Sequence, residues 1–389
     1  MKHVLFAGLA IATAASLPFA ARAEETIKVG IVAAYSGQFA DGTNQIDNGI
    51  KLYMKQHGDM VAGKKIEIIR KDTGGPNPDV AKRLAQELIV RDKVDILAGF
   101  TLTPEALGAA SVATQGKKLM VDMDAATSVI TEKSPYIVRV SMTLPQIAQP
   151  LGTWAATKGG AKKVYTMVTD FGPGIDAEQW FQKSFKEAGG EIVGSVRMPI
   201  ANPDFSAFVQ RAKDLNPESI FVFIPGGAQP AAIGKAFAER GMDPKKINIL
   251  STGEAVDDGA LKNLGDLALG RISAWHYDHN HQSAMNRDFV KAFTADYGRN
   301  PDFFAIGGYD GMHLIYEALK KTGGKADGDS LIAAVKGMKW ESPRGPMMID
   351  PATRDVVQNV YIRKVEKVDG KLVNVEFDTI KDVKDPTHK

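Results

Sequence analysis

The segment VDILAGFTLTPEALGAASVATQGKKLMVDMDAAT (residues 94–127) carries the pattern that decides the fold. It begins with a short apolar run at 94–101, passes through a stretch of helical period at 104–115 and returns to an apolar run at 118–125. Pro104, at the start of the middle stretch, is typical of the first turn of a helix. The segment therefore predicts a strand, a helix and a second strand, the unit from which parallel sheets covered by helices are built.

The same alternation continues on both sides of this segment. Towards the N-terminus, apolar runs at 27–36 and 64–72 predict strands, and patterns at 42–57 and 78–92 predict helices. Towards the C-terminus a second series predicts helices at 145–157, 175–188, 204–214 and 229–240, with strands at 162–170, 191–200, 219–226 and 247–253. Two such series predict an α/β protein with two doubly wound, Rossmann-like lobes.

The last third of the chain departs from this repeat. GRISAWHYDHN (270–280) precedes helices predicted near 284–297 and 304–322, and a strand pair spans 356–380. Asp369-Gly370 lies inside that pair, and this dipeptide is a strong signal for a β-hairpin turn. We expect lobe 1 to contain 24–143 and about 277–342, and lobe 2 to contain 144–276 and about 343–389.

The N-terminus has the features of a secretory signal peptide. Met1-Lys2-His3 is basic, residues 4–19 are almost wholly apolar, and Ala21-Arg22-Ala23 has the small-x-small form that signal peptidase cleaves. The apolar run is shorter than the roughly 20 residues of a spanning helix, which disfavours a membrane anchor. We therefore expect residues 1–23 to be removed and the mature chain to reside in the periplasm.

Composition argues against several kinds of partner. The formal net charge is +2, and Lys2 and Arg22 belong to the predicted signal peptide, so the mature chain is close to neutral and nucleic acid is not an expected partner. The 0 Cys exclude disulfides, thiol nucleophiles and thiolate metal sites. We expect no cofactor, and we expect the mature chain to be a monomer.

Histidines and glycines offer little support for an enzyme. The dense group HYDHNH (276–281) lacks a nearby fourth metal ligand, so positions at the surface or at a hinge explain it more simply. Gly172-Pro173-Gly174 lacks the third glycine of a dinucleotide-binding fingerprint, because residue 177 is Ala. The sequence therefore favours a binding protein over an enzyme.

Polar loops follow several predicted strands, at the sheet edge where α/β folds bind ligands. Ser36 follows the first strand, Thr101 and Thr103 follow the third, and Ala125-Ala126-Thr127 follows the fourth. Hydroxyls and free N–H groups at helix N-termini attract a carboxylate. Ordinary helix capping explains each loop taken singly, but three loops at one crevice favour an anion site.

From residue 28 almost to the C-terminus, the chain resembles the type I periplasmic binding proteins of branched-chain amino acid transport, which have Leu/Ile/Val-type specificity. The matching segments are IKVGIVAAYSGQFADG (27–42), GFTLTP (99–104), AAT (125–127), TDFGPG (169–174), PDFSAFVQRAKDLNPESIFVF (203–223), GYDGMHLIYEAL (308–319) and SPRGPMMIDPATRDVVQNVYIRKV (342–365). The resemblance implies two lobes joined by a three-stranded hinge that close over a small ligand. It also implies delivery of that ligand to the permease and ATPase subunits of an ABC importer.

The resemblance implies roles for single residues of the first lobe. Thr103 stands where a Ser or Thr hydroxyl holds the ligand carboxylate, and Ala125 stands where a backbone group does so. Thr127 stands where hydroxyl and backbone meet both carboxylate and ammonium. The Ala-Ala-Thr triplet of the family is intact.

Residues of the second lobe leave the ligand class open. Phe171 stands where the family usually has Tyr, Ala228 where an aromatic side chain commonly covers the ligand, and Glu254 where an acid accepts an ammonium group. Glu254 and the Ala-Ala-Thr triplet favour a branched-chain-like amino acid. The two departures from the pattern, together with apolar residues such as Phe39, favour the alternative of an aromatic carboxylate of benzoate or phenylpropanoid type. A ligand-sensing partner of a signalling receptor is a further alternative.

Overall fold

The computed structural model describes residues 25–201, 204–227, 229–242 and 246–388. The predicted signal peptide and Ala228 lie outside these residues. Within them, no helix combines the length and the apolar character that a membrane span requires.

The described residues alternate between strands and helices along most of their length. The strands are β1 (Thr26–Ala33), β2 (Met60–Val61), β3 (Lys64–Asp72), β4 (Ile96–Gly99), β5 (Leu119–Asp122), β6 (Ile137–Arg139), β7 (Lys163–Thr169), β8 (Glu191–Met198), β9 (Ser219–Phe223), β10 (Asn248–Thr252), β11 (Ile272–Trp275), β12 (Lys339–Ser342), β13 (Gly345–Ile349), β14 (Val356–Val368) and β15 (Lys371–Val383). The α-helices are α1 (Ala40–His57), α2 (Pro78–Val90), α3 (Thr103–Gly116), α4 (Leu144–Thr157), α5 (Gly172–Glu187), α6 (Phe205–Asp214), α7 (Gln229–Glu239), α8 (Asp258–Leu264), α9 (Ala284–Tyr297), α10 (Phe303–Thr322) and α11 (Gly328–Val335).

Among the described residues, these strands form two sheets. The first has the order β2-β3-β1-β4-β5-β6, and all of its pairs are parallel except that of β2 with β3. The second has the order β12-β13-β14-β11-β10-β9-β7-β8, with β15 paired to β14. Its β7 to β11 portion is parallel, and its remaining pairs are antiparallel. The central strands are apolar on both faces because helices cover both sides, as in other parallel sheets.

Helices from distant parts of the chain complete the first unit. Helix α10 packs along α1, and α11 packs on β5 and β6, although both follow β11 of the second sheet. Two glycines allow the close approach of α1 and α10: a Cβ on Gly49 would lie 2.0 Å from Ala305 O, and one on Gly308 would lie 2.1 Å from Ile46 O. The chain therefore passes between the two units three times, at 140–143, 276–283 and 336–338. We call these three segments, together with the buried ion pairs of Arg344 with Asp310 and of Arg363 with Asp278, the crossing region.

Two buried arginines tie the crossing region together. The Arg344 guanidinium lies 2.9 Å from the Asp310 carboxylate, donates to Ser141 O at 3.1 Å and also donates to Val140 O. Arg363 donates to the Asp278 carboxylate at 3.0 Å. It also donates to Tyr277 O at 3.1 Å. Each arginine thus joins the second sheet to a crossing segment through charge-assisted hydrogen bonds.

The sequence patterns located nearly all of the longer elements, and the structure adds several short ones. The predicted hairpin is present, and Asp369 and Gly370 both have positive φ, 50° and 79°, as a tight two-residue turn requires. The third strand ends at Gly99, two residues before its predicted end, because Gly99 and Phe100 turn the chain with φ of 100° and 65°. The elements that the patterns did not predict are β2, β6, β11, β12, β13, α8 and α11.

Candidate functional site

A pocket lies where the carboxyl ends of the two sheets face each other. It encloses about 370 Å³ between protein atoms, including space open to solvent. Its walls come from loops after β4 and β5 of the first sheet and after β7, β9 and β10 of the second. The lining residues are Phe39, Thr101, Leu102, Thr103, Asp124, Ala125, Ala126, Phe171, Pro173, Phe223, Pro225, Gly226, Glu254 and Phe304. This is the position at which ligands bind in open α/β sheets.

The turn after β4 aims hydroxyls into the pocket. Phe100 is fully buried with a φ of 65°, an unusual conformation for a bulky residue, and its N–H donates to Val32 O at 2.7 Å. The turn leads into α3, where the Glu105 carboxylate accepts from Leu102 N at 3.0 Å. Thr103 is the first residue of this 14-residue helix, so its hydroxyl lies at a helix N-terminus that favours negative charge.

Two pairs of threonine hydroxyls lie at or behind the pocket wall. Thr103 Oγ1 and Thr127 Oγ1 are 3.0 Å apart and buried. Thr101 Oγ1 lies 2.7 Å from Thr43 Oγ1, which is buried behind it. Because one hydroxyl of each pair donates to the other, the second keeps its hydrogen for another acceptor. The Thr103–Thr127 pair therefore presents a hydrogen-bond donor to a carboxylate.

Two acids from different lobes also line the pocket. Glu254 follows β10 and is buried, and its carboxylate accepts from Thr252 Oγ1 at 2.8 Å. Burial raises the pKa of Glu254 to about 8. Asp124 follows β5; burial, and then the nearby Glu254 carboxyl, raise the pKa of Asp124 well above its ordinary range. Of the described lining residues none is Lys, Arg or His, so no cation in the pocket wall offsets the effect of burial on the pKa of either acid.

Four phenylalanines give the pocket an apolar wall. Phe39 precedes α1 and Phe304 lies in the first turn of α10, both on the first lobe; Phe171 and Phe223 come from the second lobe. The Phe171 and Phe223 rings are 5.9 Å apart between centroids. Such a wall suits the faces of a flat ring as well as an aliphatic side chain.

The two lobes are in contact around the pocket. A Cβ on Gly172, at the start of α5, would lie 2.4 Å from Thr127 Oγ1 of the other lobe. Ser128 N donates to the Asp176 carboxylate across the same boundary at 3.0 Å. These contacts close the cleft beside the pocket, so a ligand there would touch both lobes.

The structure brings most of the predicted site residues together. Six of them line the pocket: Thr101, Thr103, Ala125, Ala126, Phe171 and Glu254. Thr127 adjoins it through Thr103. Ser36 does not line the pocket; it is exposed, and its N–H donates to the Asp72 carboxylate at 3.2 Å. Ala228 lies outside the described residues.

Sequence reasoning missed several lining residues, of which Asp124, Phe223 and Phe304 matter most. Asp124 carried a usable signal, because it is an acid directly after a buried strand in the loop that holds the Ala-Ala-Thr triplet. Phe304 carried none, since it follows β11 by more than two dozen residues and returns to the pocket only through the packing of α10 on α1.

The HYDHNH segment belongs to the crossing region. His276 is buried, and burial, followed by the charges of Arg344 and Arg363, lowers the pKa of this imidazole well below its ordinary range. His279 lies 3.3 Å from an Asp258 oxygen, and His281 lies 2.9 Å from a Glu376 oxygen. Each of these two histidines thus pairs with a different acid, so the segment does not bring them to one metal position.

Comparisons with known proteins agree on one family. A family model described as "Periplasmic binding protein" matches residues 26–371. "Leu/Ile/Val-binding protein homolog 6" of Brucella melitensis is 41% identical over 391 residues, with 99% of each chain covered.

Solved structures share the fold of this chain, but two of them hold aromatic acids, whereas the Brucella relative bears a Leu/Ile/Val-binding name. A solute-binding protein of an ABC transporter from Rhodopseudomonas palustris BisB5, in complex with 3,4-dihydroxybenzoic acid, is 56% identical and has a TM-score of 0.91 over 94% of this chain and 100% of that chain. A second solute-binding protein from R. palustris, in complex with 4-hydroxybenzoate, is 43% identical, with a TM-score of 0.91 over 94% of this chain and 99% of that chain. The predicted two-lobed α/β fold is confirmed, and the chain belongs to the type I periplasmic binding protein family.

Proposed function

We propose that this protein is the periplasmic receptor of an ABC importer and that it captures a hydroxylated aromatic carboxylate, such as 4-hydroxybenzoate, between its two lobes. The observation that carries the proposal is the pocket itself, which combines a phenylalanine wall, a threonine pair for a carboxylate and no cation among its described lining residues. The complexes of the two R. palustris proteins with hydroxybenzoates support the same ligand class.

Charge balance favours an aromatic acid over an amino acid. An aromatic acid brings one negative charge, which the Thr103–Thr127 hydroxyls and the N-terminus of α3 stabilise. An amino acid also brings an ammonium, whose pairing with an ionised Glu254 or Asp124 is opposed by the burial that raises the pKa of both acids.

A branched-chain amino acid is the second candidate. Two acids at one pocket could together neutralise an ammonium, and the Brucella melitensis relative bears a Leu/Ile/Val-binding name. Under this alternative, Glu254 has the role that the sequence resemblance implies for it.

Calorimetric titration of the mature chain separates the two candidates. We expect 4-hydroxybenzoate and 3,4-dihydroxybenzoate to bind, and leucine, valine and phenylalanine to give no heat of binding at the same concentrations. Tight binding of leucine with no binding of either benzoate would overturn the proposed ligand class. Deletion of the gene tests the transport role: we expect uptake of the bound acid to be lost, and unchanged uptake would contradict that role.

A further inference from the structure

Asp124 is the one pocket acid that has a fully buried side-chain oxygen without a hydrogen-bond partner among the described residues. Its Oδ1 atom is buried, and the residue is 7% exposed. Its backbone N–H is paired with the Asp122 carboxylate at 3.2 Å, so the loop is fixed. A buried carboxyl oxygen without a partner is costly, and its position in the pocket wall points to a polar ligand atom as the missing partner.

Glu254 reaches the same pocket from the opposite lobe. Its Oε2 atom accepts from Thr252 Oγ1, which fixes the carboxyl group against β10. After burial, the charge of Glu254 is the largest cause of the raised pKa of Asp124, so the two carboxyls are close enough to interact. The other acids that influence this pair, Asp122, Asp302, Glu105 and Asp257, all raise the pKa values further.

A neutral carboxyl group has one O–H donor and an acceptor oxygen. A phenolic hydroxyl also has one donor and one acceptor, so it pairs with such a group in both directions. A ligand carboxylate beside Asp124 and Glu254 would face two acids and no cation among the described lining residues. The Thr103–Thr127 pair, by contrast, offers it a hydrogen-bond donor, and Thr127 stands three residues after Asp124 in the same loop. The two ends of a hydroxybenzoate thus match two different parts of one pocket.

Resting on the function proposed above, we propose that Asp124 and Glu254 together form a recognition site for the ring hydroxyl of the ligand and select hydroxylated aromatic acids over unsubstituted benzoate. Asp124 supplies the unpaired acceptor, Glu254 contacts the same hydroxyl from the second lobe, and closure brings them together. A ligand without the hydroxyl leaves Asp124 Oδ1 unpaired in a closed cleft.

The first test compares ligands on the wild-type chain. 4-Hydroxybenzoate is expected to bind at least about tenfold more tightly than benzoate, 4-methylbenzoate or 4-methoxybenzoate, because only the hydroxyl donates a hydrogen bond. Equal affinities for all four would overturn this inference and leave the proposed function standing. No binding of any of the four would instead overturn the proposed function.

The second test compares two kinds of variant. Asp124→Leu and Glu254→Met remove the hydrogen-bonding groups at similar volume, and each should reduce the preference for 4-hydroxybenzoate over benzoate several-fold, measured as the ratio of the two affinities in the same variant. Asp124→Asn and Glu254→Gln keep a neutral donor and acceptor, so they should retain most of the preference. Preference unchanged in the Leu and Met variants would contradict the inference, and so would its loss in all four variants together. If an apolar variant fails to fold, the ligand series on the wild type still decides.

Discussion

The crossing region and the ligand pocket both bury ionisable side chains, but only in the crossing region do these side chains have a partner of opposite charge. In the crossing region Asp310 and Asp278 each face an arginine, at 2.9 and 3.0 Å. In the pocket, Asp124 comes from the first lobe and Glu254 from the second, and there is no cation among the described lining residues. Burial raises the pKa of both pocket acids, because no cation among the described lining residues compensates for the loss of water.

The difference separates a structural role from a binding role. A paired buried charge is already satisfied, and its removal leaves the partner uncompensated, so the crossing arginines hold the lobes in place. A buried acid without a partner in the protein gains its hydrogen-bond partner when a ligand binds. We therefore expect substitutions in the crossing region to change stability, and substitutions in the pocket to change binding.

The largest effect should follow from Arg344→Met. This change leaves Asp310, which is 1% exposed, as a buried charge without its arginine. We expect the free energy of unfolding to fall by about 3–5 kcal/mol, measured by chemical denaturation. Arg91→Met is the matched control, because Arg91 is 70% exposed in its ion pair with Glu87 and should lose less than about 1 kcal/mol. Equal losses in the two variants would show that the buried ion pair contributes no more to stability than the exposed one.

Gly172→Ala should weaken binding without a comparable loss of stability. The added methyl group would lie 2.4 Å from Thr127 Oγ1, so either the Thr127 hydroxyl leaves its position or the lobes stay further apart. We expect affinity for 4-hydroxybenzoate to fall by about 2–3 kcal/mol, the upper part of the range for overpacking. Small-angle scattering should show less compaction on ligand addition than in the wild type. Gly116→Ala, far from the cleft at the end of α3, is the control; wild-type affinity in Gly172→Ala would argue against the closed state described above.

Thr103→Ala and Thr127→Ala should each lower affinity by about 1–2 kcal/mol, because each removes a hydroxyl from the carboxylate position. The hydroxyls are 3.0 Å apart, so the double variant should lose less than the sum of the single losses. Titration calorimetry of the three variants measures this coupling. Wild-type affinity in both single variants would assign the hydroxyls to helix capping alone.

The smallest effect concerns pH and Glu254. Its pKa in the folded chain is about 8, against an ordinary value of 4.5. Between pH 4.5 and 8, the folded state therefore holds a proton that the unfolded state has released. The wild type should therefore lose stability relative to Glu254→Gln as pH rises from 4.5 to 8, by at least about 1.4 kcal/mol. Denaturation curves of both proteins at several pH values measure the difference, and parallel pH profiles would place a counter-charge beside Glu254.

Sequence patterns were sufficient for the architecture but not for the pocket. The strand of 64–72 and the helix of 284–297 coincide with β3 and α9, because their apolar periodicity is strong and local. Strands such as β2 and β6 are two and three residues long, too short to produce a period. Their pairing is decided by the neighbouring strands.

The pocket depends on contacts between residues far apart in the chain. Thr103 and Thr127 were predicted because each follows a strand directly and the family resemblance marks them. Ser36 was predicted by the same logic but is exposed outside the pocket, since its loop bends towards Asp72. The neutral state of Glu254 follows from its burial between lobes, which no local pattern encodes, and the choice between an ammonium and a hydroxyl partner depends on it.

A crystal structure of the mature chain with 4-hydroxybenzoate tests the account most directly. We predict a closed cleft with the ring against Phe171, the ligand carboxylate within hydrogen-bond distance of the Thr103 and Thr127 hydroxyls, and the ring hydroxyl on the Asp124 carboxyl. A ligand bound in the reverse orientation, with its carboxylate on Asp124 and Glu254, or a ligand bound outside this pocket, would contradict it.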